Sequence, residues 1–119
     1  MANITTRRTI RKYTAEDVPS DLLNELLKKA ERTQTMGNLQ LYSVVTTRDP
    51  VNKARLAPLH FNQPMVQNAP VVLTFCADFH RTTEWAKRRK GQPGYNNILS
   101  FLNAASDALL FCQTFCHLA

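Results

Sequence analysis

Glycine and cysteine are both scarce here, three of each in 119 residues beside six prolines. So little glycine, with no G-x-y period, excludes a collagen-like fibre. The cysteines Cys76, Cys112 and Cys116 are odd in number and contain no C-x-x-C pair, which disfavours a disulfide scaffold. Met1-Ala2-Asn3-Ile4-Thr5 lacks the charged-then-apolar pattern of a secretory leader. A reduced, cytoplasmic compartment is therefore expected. His60, His80 and His117 have no metal-like spacing, and Cys112 and Cys116, four residues apart, lack nearby histidines, so no metal site is expected. Both cysteines read as small hydrophobes. A Walker lysine loop, a Ser-His-Asp order and paired carboxylates are missing too, and no catalytic side chain can be named. What is present is globular: 44% hydrophobic and 20% charged residues, in a length that admits one core and not two.

The net charge of +6 is local rather than general. Arg7, Arg8, Arg11 and Lys12 form one basic knot, and Lys87, Arg88, Arg89 and Lys90 form another. The other seven of the 15 basic residues face nine acids, leaving the rest of the chain at −2. A nucleic-acid binder spreads basic charge along a face, so no nucleic-acid partner is expected. Each knot reads better as an anion site or a solvated helix end.

The periodicity predicts a helix that begins with Pro19. It sets Leu22, Leu23, Leu26, Leu27 and Ala30 on one face and Asn24, Glu25, Lys28, Lys29 and Glu31 on the other. Residues 41–47 are β-branched and aromatic and read as a strand. Asp49 then caps, and Pro50 begins, a short helix to about Leu56, with Pro58 blocking its continuation. Residues 70–77 read as a second strand, whose near-continuous apolar run suggests burial on both faces. A surface helix is expected over residues 80–90, carrying Trp85 and broken at Gly91-Gln92-Pro93-Gly94.

Residues 97–119 are long and apolar enough to span a membrane. Polar side chains interrupt them every three or four residues, and a carboxylate such as Asp107 near the middle of a lipid-facing helix costs about 2.5–3.5 kcal/mol. A buried core or subunit-interface helix, covered over most of its circumference, is the expectation, with Asn103 and Asp107 facing protein and Leu109 and Phe111 at an interface. No Gly, Asn, Lys or Arg closes this helix, and two strands separated by helices do not make a stable sheet alone. Either the chain is an N-terminal piece or a partner completes its sheet and core.

Three segments offer chemistry. Arg7-Arg8-Thr9-Ile10-Arg11-Lys12-Tyr13 packs guanidinium forks and hydroxyls into a few residues, which suits a phosphate or carboxylate; a solvated N-terminal arm is the alternative. Residues 33–42 join the first helix to the first strand and are too polar for a core. Phe61-Asn62-Gln63-Pro64 precedes the second strand and places an amide in a turn. For both, an ordinary loop bonding its own backbone is the alternative.

Taken in this order, the pieces resemble the flavin-dependent nitroreductase family. Its R-R-S-x-R-x-F/Y opening is matched by residues 7–13. Its A-P-S-x-x-N-x-Q-P-W loop is matched in part by residues 34–42, with Gln34-Thr35 replacing P-S and Leu41-Tyr42 replacing P-W. An F-N turn before a V-V-V-F-C-A strand is matched by Phe61-Asn62 and residues 71–77, and the apolar helix after Gly94-Tyr95 looks like the family's central dimer helix.

The resemblance implies an α+β fold, with a mixed sheet flanked by helices and a long central dimer helix. It implies a homodimer holding FMN at the subunit interface, NAD(P)H as electron donor and a small-molecule acceptor such as a nitroaromatic or quinone, with hydride passing by way of flavin N5. Arg7, Arg8, Thr9 and Arg11 would contact the flavin phosphate and ribityl chain, and Asn62 the ring or ribityl group. Thr35, Met36 and Asn38 would approach from the neighbouring subunit. The family's later glycine-containing strand and late basic ligand fall beyond Ala119, so residues 1–119 are expected to be a single domain incomplete at its C-terminus. The rival reading is a non-enzymatic tail-anchored or partner-binding module built on residues 97–119.

Overall fold

The structure, a computed structural model, describes residues 4–94 and 96–119; Tyr95 and the opening Met1-Ala2-Asn3 of the leader reading lie outside the described residues. Helix α1 runs Ser20–Ala30, with Pro19 one position earlier than predicted, at the N-cap, where its carbonyl accepts from Leu23 N at 3.0 Å. Asp21 in the first turn and Lys28 and Lys29 in the last complement the helix dipole. Leu23 and Ala30 are buried, whereas Leu22 remains 47% exposed.

Strands β1 (Tyr42–Thr47) and β2 (Val72–Ala77) pair antiparallel, from Tyr42 opposite Ala77 to Thr47 opposite Val72. Between them lies helix α2 (Pro50–Leu56), capped by the Asp49 carboxylate, which accepts from Asn52 N at 2.8 Å. Pro58 does not end the helical path. It converts it to a 3-10 turn, Ala57–His60, because a proline lacks the N–H that α-helix propagation needs. Phe61 and Asn62, both left-handed at φ 55° and 53°, terminate that turn, and the short helix α3 (Pro64–Asn68) follows. Buried Lys53 donates to the Ala69 carbonyl at 2.8 Å, tying α2 to the end of α3.

Helix α4 (Phe79–Arg88) starts one residue before and stops two residues short of the predicted range. Its cap, Asp78, accepts from Arg81 N at 3.0 Å and from the Ser43 hydroxyl on β1. Helix α5 (Ile98–Leu118) is capped by Asn97, whose side chain accepts from Leu99 and Ser100 amides. It lies across the two-stranded sheet and against α1. The core there is Ala30, Tyr42, Ala108 and Phe111, with Leu27, Val44, Phe75, Phe115 and Leu118 partly buried around it. Ala30 and Ala108 keep the α1–α5 contact close, and the centroid of the Phe111 ring sits 4.3 Å from that of Tyr42 on β1.

Two expectations change. Strand β2 is half-buried from Val72 to Cys76 and exposed at Ala77 rather than covered on both faces. In α5, Ser100, Ala104, Asp107, Ala108 and Phe111 form one buried stripe, while Ile98, Phe101, Leu102 and Leu109 are 52–71% exposed. The small sheet and α1 are wide enough to cover one stripe and no more. Phe111 thus belongs to the core of this chain, and Leu109 faces away from it. By length and composition α5 could cross a membrane; its Asp107 face is nonetheless packed within the fold.

Candidate functional site

The segment joining α1 to β1 holds three of the left-handed residues among those described. Gly37, Asn38 and Gln40 all adopt left-handed backbone, at φ 56°, 55° and 53°. Glycine takes this region freely and asparagine tolerates it, but a glutamine there is strained and persists only if its surroundings hold it. They do. The Gln40 carbonyl accepts from Arg81 Nη2 at 2.5 Å, and the Leu39 carbonyl accepts from the Thr82 hydroxyl at 3.5 Å. From beneath, Asp107 on α5 accepts from Met36 N at 2.8 Å and from Leu41 N at 3.0 Å, one carboxylate oxygen to each end of the loop. Asp107 is fully buried, and a buried carboxylate is tolerable only with donors of this kind.

Of the predicted residues on this loop, Thr35 is half-buried, Met36 is 47% exposed and Asn38 is exposed. Beside it a cleft of about 360 Å³ is lined by Asn38, Leu39, Gln40, Arg81, Thr82 and Trp85. Trp85 carries the Arg89 guanidinium 4.6 Å above its ring, so part of the second basic knot is engaged with this aromatic. Lys87 pairs with Glu84 at 2.8 Å.

The N-terminal arm is placed differently. Arg7, Arg8, Thr9 and Arg11 are all exposed, on a segment without regular structure. Among the described residues, the ion pairs use Lys29, Arg48 and Lys87, none of them on the arm. On α5, burial, and then the neighbouring Cys116, push the Cys112 thiol up from its ordinary range, with the Arg7 charge opposing them. Asn62 sits exposed at the turn between α2 and α3, where its N–H donates to the Ala57 carbonyl at 2.8 Å.

Thr35, Met36 and Asn38 are thus brought together, as are the four arm residues, while neither the arm nor Asn62 lines the cleft beside the loop. A larger hollow of about 650 Å³ between β1 and α2 contains none of the predicted residues. Sequence reasoning placed Asp107 against protein, as it is, but did not foresee that it braces this loop, and it missed Arg81 altogether. The signal for Asp107 was available: it is the lone carboxylate in a 21-residue helix, on the stripe defined by Ser100, Ala104, Ala108 and Phe111. Nothing in the sequence pointed to Arg81, whose role depends on where α4 docks.

A model of the nitroreductase family matches residues 4–115. The chain is 31% identical over 112 residues to an FMN reductase (NADPH) from Bacillus subtilis, covering 92% of this chain and 45% of that protein. It is 44% identical over 72 residues to an NADH dehydrogenase from Thermus thermophilus, covering 60% of this chain and 35% of that one. A Bacteroides fragilis crystal structure, itself assigned as an oxidoreductase, superposes with a TM-score of 0.95 at 58% identity, over 99% of this chain and 48% of the other. The chain therefore spans less than half the length of the curated relatives it matches here. With the arm, the braced loop and most of the long helix falling inside the matched span, the chain belongs to the nitroreductase family.

Proposed function

We propose that residues 1–119 are part of one domain of an FMN-dependent NAD(P)H oxidoreductase, acting on nitroaromatic or quinone-like acceptors as a cytoplasmic homodimer. The observation that carries the reading is the exposed arginine arm. Arg7, Arg8 and Arg11 present guanidinium donors on an exposed segment without regular structure, outside the described ion pairs, with Thr9 among them in the chain. That donor set fits a phosphate dianion, which takes bidentate arginine bonds and a hydroxyl donor. Relatives named for FMN and NADPH, and a Vibrio harveyi NADPH:FMN oxidoreductase solved with NAD+, support the choice of cofactor and donor.

In this reading Arg7, Arg8, Thr9 and Arg11 hold the phosphate and ribityl end of FMN. Asn62 offers its amide to the ring or ribityl group from the turn after the 3-10 segment. Thr35, Met36 and Asn38 approach the flavin of the opposite subunit, and the exposed apolar side of α5 supplies the subunit contact. Bound flavin supplies the hydride chemistry between nicotinamide and acceptor, and the protein's part is binding, orientation and exclusion of water. We assign no catalytic side chain. The test is made on the complete gene product: it should purify yellow and oxidise NADPH or NADH in the presence of a quinone. Colourless protein that gains no flavin absorbance on FMN titration defeats the proposal.

A further inference from the structure

We infer that Asp107 is a positioning residue for the flavin, acting through the loop of residues 36–41; the inference rests on the proposed function and deepens it. The carboxylate lies 71 and 66 residues from its two partners in sequence, yet one oxygen accepts from Met36 N at 2.8 Å and the other from Leu41 N at 3.0 Å. Those amides bracket the three left-handed residues Gly37, Asn38 and Gln40. With both ends fastened to one rigid group, the exposed side chains of Met36 and Asn38 are carried at a set height above α5. The same helix presents Leu102 and Leu109 on its uncovered side. A single buried anion thereby indexes the flavin-facing loop to the helix assigned to the subunit contact. A packing role alone would not need a charge, since an apolar residue of similar volume would fill the space without needing donors.

The test compares Asp107→Asn with Leu23→Ala in the complete protein. Asparagine keeps one acceptor and turns its NH₂ toward the other backbone N–H, so one end of the loop is released with little change of volume. Leu23→Ala empties a buried site on α1, 4% exposed, without touching the loop. D107N should weaken FMN binding by up to about ten- to a hundredfold by flavin titration, the upper figure applying if the whole worth of one charge-assisted bond to the loop passes to the flavin. Amide hydrogen exchange at Met36 or Leu41 should rise with it. L23A should lower the melting temperature at least as much and hold FMN as the wild type does.

Equal FMN affinity in D107N and wild type, or equal losses in D107N and L23A, overturns the inference alone. A wild type that binds no FMN overturns it together with the proposed function. Should D107N fail to fold, Met36→Pro against Met36→Ala interrogates the same bond from the loop side. Proline removes the N–H, and Thr35 already has the extended backbone, φ −137° and ψ 158°, that a following proline requires. M36P binding FMN more weakly than M36A supports the role, and equal binding refutes it.

Discussion

Replacing Phe111 by alanine should remove most of the packing between α5 and the sheet. Its ring is 2% exposed and lies 4.3 Å from Tyr42 and 5.9 Å from Phe75, between centroids. Truncating a buried Phe costs about 3–5 kcal/mol, and the spread reflects how far neighbours collapse into the cavity. Here two of the nearest neighbours are Ala30 and Ala108, which have no side-chain length with which to fill the space. The loss should therefore fall in the upper half of that range, a large share of the roughly 5–15 kcal/mol that holds an ordinary domain folded. At a urea dependence of about 2 kcal/mol per molar, the unfolding midpoint should drop by roughly 2 M. Leu109, only two residues on the other side of the helix, is 71% exposed and supplies the control. Leu109→Asp should leave circular dichroism intact and shift the size-exclusion profile toward monomer, whereas F111A should lower the midpoint whatever the profile shows. A midpoint change under about 0.25 M for F111A, within the roughly 0.5 kcal/mol range of ordinary surface substitutions, would refute the placement of Phe111 in the core.

Arg8→Ala should loosen FMN by about ten- to a hundredfold, the worth of one lost charge-assisted contact, with Lys87→Ala changing it far less because exposed charges are screened; flavin absorbance titration compares the two. Asp49→Ala should cost α2 about 0.5–2 kcal/mol through the lost cap to Asn52 N, read as a lower melting temperature. The Ser43 hydroxyl, followed by the Arg81 backbone N–H, holds the Asp78 carboxyl below its ordinary range. A depressed folded-state value stabilises the fold above the unfolded carboxylate range and is lost as pH falls through the folded value. Ser43→Ala should therefore be less stable than wild type at pH 7, with the gap closing below about pH 4 in urea melts; a gap that widens on acidification would contradict the assignment.

Local chemistry was enough to place most elements from the residues alone. The leucine spacing of residues 22–27 marks α1, Asp49-Pro50 marks the start of α2, and the β-branched runs mark both strands, because caps, proline and periodicity act over four or five residues. The arginine arm, the loop of residues 34–42, the Phe61-Asn62 turn with its following strand and the long apolar helix were also legible, and their order carried the resemblance to the family. Docking decided the rest. Apolar residues occupy nearly all sides of residues 98–118, so composition could not say which stripe would meet the sheet, nor separate Phe111 from Leu109. The roles of Asp107 and Arg81 likewise depend on partners 71, 66 and 41 residues away. A hydrogen bond closed over such a distance leaves no periodic trace in the sequence, because it arises only when separate elements have packed.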